Sequence, residues 1–378
     1  MASYKEKNMK YCTLGRTELR VSVIGLGTLA MGGQAYGPVD EEDAIVTIRQ
    51  ALDLGVNFLD TSDNYGLGRA EEIVGKAIQG RRDQVVLATK GGTPRDERGR
   101  ITNDCRAGVI IKAVEASLRR LRTDYIDLYQ IHLPDPETPF EETALALEQL
   151  RRAGKIRYIG LSNFWTAELK EWLSIGEIVS NQMPYNFLHR DIEGEILPLC
   201  RERKIGVIAY TPLLMGLFAG KLTPDSQFGQ GDHRAAYPLF QGEPFRQSLR
   251  LIDRLRPLAE EFELTLAQLA LRWVISRPGI TCAIAGAKHP QQVKENVRAG
   301  EKFFTKEELE SIDSILEEAP VEIPRRMPMK VVEVRSGPQG KVGVLAMGIK
   351  VKVPDRVEAG SIVQMDIVTG QIAETSGG

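Results

Sequence analysis

Eight short apolar runs recur along the chain, at 21–25, 56–60, 85–90, 125–132, 158–162, 178–182, 206–210 and 282–286. Each reads as a buried strand, and nearly every gap between them holds a segment with helical periodicity. Segment 41–54 places Ile45, Ile48, Ala51 and Leu52 on one helical face, and 109–121 does the same with Ile110, Val114, Ser117, Leu118 and Leu121. Segments 70–78, 141–152, 167–173, 194–204 and the long 245–276 stretch fill most other gaps. Ahead of them, 11–21, with Gly15 and Arg16 at its centre, reads as a short hairpin. Eight strands alternating with helices predict an α/β fold, an eight-stranded parallel (β/α)8 TIM barrel rather than an open sheet. In such a barrel an active site lies at the C-terminal ends of the strands.

Two stretches break the rhythm. Segment 213–244 follows a strand end, is rich in Gly, Gln, Pro and Asp, and has no clear period; it is either a flap over the site or a slack insertion. Helical signals stop near Glu318, and 319–328 is a proline- and charge-rich linker. Beyond it, 329–335, 341–353, 361–368 and 371–374 are β-like, separated by Gly-Pro, Pro-Asp and Thr-Gly turns. The expected division is a barrel over 1–326 and a short C-terminal β-rich appendage over 327–378. The appendage is too short for a good core of its own, so it packs on the barrel, pairs with another subunit in a homo-oligomer, or stays loose.

Composition narrows the partner class. The 378 residues carry a net charge of −2 with both signs mixed throughout, which offers no basic field for nucleic acid or an anionic membrane. No apolar run approaches the length that spans a bilayer, and the charged segment 1–10 lacks the apolar core of an export signal. A cytoplasmic protein with a small-molecule partner is expected. Cys12, Cys105, Cys200 and Cys282 are widely spaced, so neither a disulfide framework nor a metal site is indicated.

The strand ends carry the chemistry. Asp60 closes the second run, with Tyr65 in the turn that follows; Lys90 closes the third and His132 the fourth. Singly, each has a structural reading, and an Asp–Lys pair at a barrel mouth is often just that. Together they suit proton transfer: Asp60 holds Lys90 charged, the ammonium lowers the pKa of the Tyr65 phenol, and His132 donates a hydrogen bond to the same oxygen. Proton delivery to a carbonyl oxygen is half of a carbonyl reduction. The other half is a hydride, which no side chain supplies, so a nicotinamide cofactor is implied.

Candidate cofactor contacts follow at other strand ends. Residues 25–30, Gly-Leu-Gly-Thr-Leu-Ala, match a dinucleotide fingerprint, but Gly32, Gly33, Gly37 and Pro38 interrupt the helix it requires. Gly27 and Thr28 are better read as bare backbone that a ligand can approach. Ser162, Asn163 and Gln182 offer amides and hydroxyls, and Tyr210, followed by Thr211, Pro212 and Leu213, offers an aromatic face; strand-end capping is the plain alternative for each. After the eighth run, Gly286 leads to Lys288 and a helix beginning near Gln291, a seat for phosphate, although Lys288 also reads as a solvated surface lysine.

These motifs resemble the aldo-keto reductases over about 11–316. The resemblance rests on Asn57-Phe58-Leu59-Asp60-Thr61 with Tyr65-Gly66, Ala88-Thr89-Lys90, Asp127-Leu128-Tyr129-Gln130-Ile131-His132, Gly160-Leu161-Ser162-Asn163-Phe164, Asn181-Gln182 and Ala209-Tyr210-Thr211-Pro212-Leu213. It implies reduction of an aldehyde or ketone by NADPH in a metal-free (β/α)8 barrel, with Asp60, Tyr65, Lys90 and His132 as the catalytic tetrad. It further implies nicotinamide contacts at Ser162, Asn163, Gln182 and Tyr210, and adenosine-phosphate contacts at Lys288, Gln292 and Asn296. Leu213, Gly216 and Lys221 would follow the pyrophosphate, while Leu29 and Trp165 would line the carbonyl pocket with Tyr65 and His132. The overall pattern is most similar to the bacterial general-oxidoreductase branch, which also resembles potassium-channel β subunits. The tail, with Gly348-Ile349-Lys350-Val351-Lys352-Val353-Pro354, is similar to the last OB-type domain of bacterial elongation factor P. An NADPH-binding sensor or scaffold with slow turnover, acting through the tail, is the alternative reading.

Overall fold

A short hairpin precedes the main fold: β1 (Tyr11–Thr13) pairs antiparallel with β2 (Arg20–Ser22), Cys12 opposite Val21. The computed structural model describes residues 8–33, 36–229, 231–338 and 340–375; the charged segment 1–7 lies outside them, as does Gln230 of the expected flap. Eight parallel strands then close into the expected barrel. They are β3 (Ile24–Gly27), β4 (Phe58–Asp60), β5 (Val86–Gly91), β6 (Ile126–Ile131), β7 (Ile156–Ser162), β8 (Ser180–Pro184), β9 (Gly206–Tyr210) and β10 (Ile280–Gly286), with β10 closing on β3.

The first run is displaced from its expected position. Val21 belongs to the hairpin, and the barrel strand begins only at Ile24. Ser22 makes the break: its backbone N–H donates to Asn57 Oδ1 at 2.7 Å and its hydroxyl to Ile24 O at 2.8 Å, so the chain turns where apolarity alone suggests continuity.

Helices form the outer layer: α1 (Glu41–Asp53), α2 (Arg69–Ala77), α3 (Ala107–Leu121), α4 (Phe140–Arg152), α5 (Thr166–Leu173), α6 (Ile196–Glu202), α7 (Gly242–Glu261), α8 (Leu266–Ser276), α9 (Pro290–Val297) and α10 (Lys306–Glu318). Ile48, Ala51 and Leu52 of α1 and Ile110, Val114 and Leu121 of α3 are buried in the large helix–sheet core, as their spacing predicts. The long 245–276 region divides in two. Glu263 turns with φ +55°, and Thr265 opens α8 with a capping box to Gln268. No helix among the described residues is long and apolar enough to cross a membrane.

A second, smaller core fills the barrel interior, where Leu14, Leu19 and Val21 of the hairpin pack on Phe58, Val86, Leu128 and Ile208. The hairpin therefore plugs the N-terminal end of the barrel and leaves the opposite end for chemistry.

Beyond α10, β11 (Arg326–Gly337), β12 (Gly340–Leu345), β13 (Lys350–Lys352), β14 (Ile362–Asp366) and β15 (Ile372–Thr375) form one antiparallel sheet in the order β13-β12-β11-β14-β15. The β-like run at 341–353 is two strands, because Gly348 turns at φ +103° and Leu345 N donates back to Ile349 O at 2.9 Å. Val331, Leu345, Val351, Val353, Val357 and Val363 give the sheet a small core. It packs on the barrel: Arg335 pairs with Glu137, Lys350 with Asp135 and Glu137, and Asp366 with Arg325 of the linker.

Candidate active site

Asp60 and Lys90 point into the barrel from the ends of β4 and β5, each only 1% exposed. Lys90 Nζ donates to Asp60 Oδ2 at 2.6 Å, to Thr61 O at 3.0 Å and to Tyr65 Oη at 3.3 Å. The other Asp60 oxygen accepts from Gln182 Nε2 at 2.8 Å and from Gln130 Nε2 at 3.3 Å. The buried pair is thus saturated with hydrogen bonds, which is what makes burying two charges tolerable.

Tyr65 reaches this pair because two glycines let backbones touch. A Cβ on Gly32 would sit 2.7 Å from Gly66 N, and one on Gly66, whose φ is +62°, would sit 2.3 Å from Gly32 O. The turn after β4 is thereby pressed against the 3-10 turn Leu29–Gly32 that follows β3. That turn stands where a dinucleotide fingerprint would need a helix, so residues 25–30 do not form a dinucleotide-binding turn. His132 follows β6 directly, its N–H donating to Gly91 O at 2.9 Å, and its ring meets the Tyr65 ring edge-on at 6.0 Å. One carboxylate, one ammonium, one phenol and one imidazole therefore converge.

Electrostatics settle their protonation. Burial alone would push the Lys90 ammonium down, but Asp60 and Tyr65 together outweigh it and hold the pKa above its ordinary value. Burial, with a smaller contribution from Lys90, lowers His132 to about 3, so the imidazole is neutral at any working pH. The expectation for Tyr65 needs correcting. Lys90 does pull the phenol down, but burial pushes harder the other way, and the net shift is upward. The phenol is kept protonated, which suits a proton donor.

The sequence missed a set of groups behind the imidazole. Ser62 Oγ lies 3.1 Å from His132 Nδ1, and Thr93 Oγ1 lies 3.4 Å from it. Asn64 Nδ2 donates to Thr93 Oγ1 at 3.0 Å, and Ser62 Oγ lies 3.3 Å from Asp63 Oδ1. Burial and the nearby Glu71 carboxylate raise Asp63 to about 7. If the Ser62 hydroxyl donates its hydrogen bond to Nδ1, the neutral ring carries its own proton on Nε2. The motif holds Ser62 and Asp63 in plain view, yet nothing in its spacing shows that a histidine 70 residues on will be their partner.

At the remaining strand ends, Asn163 stands at φ +62° and links three others: its Nδ2 donates to His132 O at 3.0 Å and Ser162 Oγ at 3.1 Å, and its Oδ1 accepts from Tyr210 Oη at 2.7 Å. Gln182 turns its amide onto Asp60. Thr28 is buried and donates to Asp60 O at 3.1 Å. Gly27 and Gly286 are register partners on β3 and β10, and a Cβ on either would meet no atom nearer than 3.9 Å, so the backbone there is bare. Leu29 opens the 3-10 turn after β3, and Trp165 stands at the N-terminus of α5 against the main core.

The chain leaves β9 through unusual backbone: Thr211, Leu214, Met215 and Gly216 all have positive φ. Leu213 and Pro212 lie within this run, and Lys221 beyond it is exposed, 3.8 Å from Glu295. In the described part of the segment after it, aromatic side chains pack together while most residues of 221–236 stay exposed or half-buried. Phe228, Phe240 and Phe245 cluster, and Arg234, paired with Asp232 at 2.6 Å, lies over Phe228 and Tyr36. Lys288 Nζ donates to Tyr36 O, Gln292 Oε1 accepts from Lys288 N at 2.7 Å as part of the α9 cap, and Asn296 is buried on the same helix.

Comparison with known proteins decides the family. The pattern of the Aldo/keto reductase family matches residues 23–317. The chain belongs to that family. It is 40% identical over 313 residues to the aldo-keto reductase YhdN of Bacillus subtilis, covering 82% of this chain and 94% of that protein. It is 37% identical to the NADH-specific methylglyoxal reductase of Escherichia coli, covering 77% and 93%. Among solved structures, the glycerol dehydrogenase AKR11B4 from Gluconobacter oxydans aligns with a TM-score of 0.76 at 36% identity, covering 84% of this chain and 98% of that one. An aldo/keto reductase from Klebsiella pneumoniae in complex with NADP and acetate aligns at 0.65 and 30%, covering 84% and 98%. This aldo/keto reductase carries its C-terminal sheet beyond the matched span.

Proposed function

We propose that this aldo/keto reductase reduces an aldehyde or ketone to the alcohol with NADPH, Tyr65 delivering the proton. The observation that carries the reading is the single contact set Asp60–Lys90–Tyr65–His132, in which the phenol is the one group that is both protonated and able to lose its proton toward the mouth. The Klebsiella relative is described with NADP, and the Escherichia coli relative is named for NADH, so the choice of nicotinamide rests on Lys288.

The residues present suit such a group. Bare backbone at Gly27 and Gly286, the Ser162–Asn163 pair and the partly exposed Tyr210 ring offer a flat, hydrogen-bonding seat, and Lys288 beside the α9 N-terminus offers a cation for phosphate. Gln292, Asn296, Leu213, Gly216 and Lys221 complete the cofactor assignment, and Leu29 and Trp165 the substrate side. Bound there, the nicotinamide supplies a hydride. His132, neutral and with Nδ1 turned to Ser62 and Thr93, gives an Nε2–H hydrogen bond that orients the carbonyl oxygen. As negative charge grows on that oxygen, Tyr65 transfers its proton, and Lys90, held charged by Asp60, stabilises the phenolate left behind. Steady-state assay of wild type and Tyr65→Phe with NADPH and a panel of aldehydes and ketones tests this: turnover in the first and almost none in the second is expected, and equal turnover rejects it.

A further inference from the structure

The C-terminal sheet meets the barrel at two loops beside His132. The loop after β5 is a small hairpin, in which Asp96 N donates to Arg100 O, Thr102 N to Pro94 O and Asp104 N to Gly92 O, each at 2.9 Å. Thr93, next to the imidazole, stands at its base. The loop after β6, residues 133–139, is wound on the Asp135 carboxylate, which accepts from Cys105 N at 3.0 Å, Glu137 N at 3.0 Å and Thr138 Oγ1 at 2.6 Å.

Asn103 joins both loops to the sheet. Its Nδ2 donates to Pro134 O at 2.7 Å and Lys350 O at 3.0 Å, and its Oδ1 accepts from Lys350 N at 2.8 Å. The carboxamide pairs with β13, an edge strand of the sheet, as a neighbouring backbone would. Lys350, 7% exposed, sets its ammonium 2.8 Å from Asp135 and 3.0 Å from Glu137, and Arg100 Nη1 donates to Ala346 O at 3.0 Å. A lysine this buried is sustained only by such partners.

We propose that Asn103 is a positioning residue for His132, and that the C-terminal sheet, through Lys350, holds the two loops as a fixed wall on the carbonyl side of the site. The positioning role rests on the carbonyl-reductase reading above; the tether does not. The Asn103 and Lys350 bonds go to each other, Pro134, Asp135 and Glu137, not to residues assigned to the cofactor.

The test uses the full chain with Asn103→Leu and Lys350→Met, and Lys350→Arg as the conservative control. In the first two, trypsin is expected to cut after Arg95, Arg98 or Arg100 about tenfold faster. NADPH affinity should stay unchanged while kcat/KM for a carbonyl falls about tenfold or more, and the arginine should restore both. Faster cutting with unchanged kcat/KM overturns the positioning role, unchanged cutting overturns the tether, and a parallel loss of NADPH affinity makes the effect general and overturns positioning as well. A wild-type protein that reduces no carbonyl sinks the proposed function and the positioning role with it, while the proteolysis still decides the tether.

Discussion

One pleat step separates two kinds of interior in this barrel. Phe58, Ala88 and Leu128 belong to the apolar floor; two residues further along the same strands, on the same face, stand Asp60, Lys90 and Gln130. The floor is closed below by Leu14, Leu19 and Val21 of the hairpin, while the polar layer lies beneath the loops of the mouth. The floor owes its place to packing and would fit almost any reaction. The polar layer is costly to bury and is held by paired charge and hydrogen bonds. Burial sets the protonation states of the groups at the mouth: it raises Tyr65, lowers His132, and leaves Lys90 dependent on Asp60 and Tyr65 for its charge.

Variants can pull the two layers apart. Tyr65→Phe keeps the ring and its packing, so it should cut kcat by about a hundred- to ten-thousand-fold with little change in melting temperature. Lys90→Met should lose activity and also stability, by about 3–5 kcal/mol, because Asp60 is left buried without its cation; denaturant melts check this. A variant as stable as wild type would show that the pair is not the keystone of the polar layer. Leu14→Ala should behave the opposite way, costing about 2–5 kcal/mol in the same melts with kcat nearly unchanged.

The smallest effect concerns Asp63. Its pKa of about 7 in the fold lies above the ordinary carboxylate value of 3.8. The stability contributed by its proton is complete below the ordinary value and is lost as pH rises through about 7. Asp63→Asn should therefore melt above wild type in alkaline buffer and approach it in acid. Equal melting temperatures across that range would mean that the carboxyl is not desolvated as described.

The strand ends that carry the polar layer were legible before the fold was known. Strand-length runs ending in Asp60, Lys90 and His132 gave both the barrel and the converging groups, because parallel strands bring their C-terminal ends to one face whatever lies between them. Other features needed tertiary knowledge. Ser22 ends the hairpin only because Asn57, far along the chain, captures its N–H. Ser62 and Thr93 matter only because His132 arrives between them. Burial overrules Lys90 at Tyr65, and the strength of burial is invisible in a motif. Asn103 lies in a polar loop with nothing to mark it until β13 is laid against its side chain.

Binding of NADPH, followed by oxidation on adding carbonyls, measured side by side on wild type and Tyr65→Phe, tests the central claim most directly. Tight binding by both proteins with oxidation by wild type alone is the expected result. Oxidation at equal rates by both, or no NADPH binding by wild type, would contradict it.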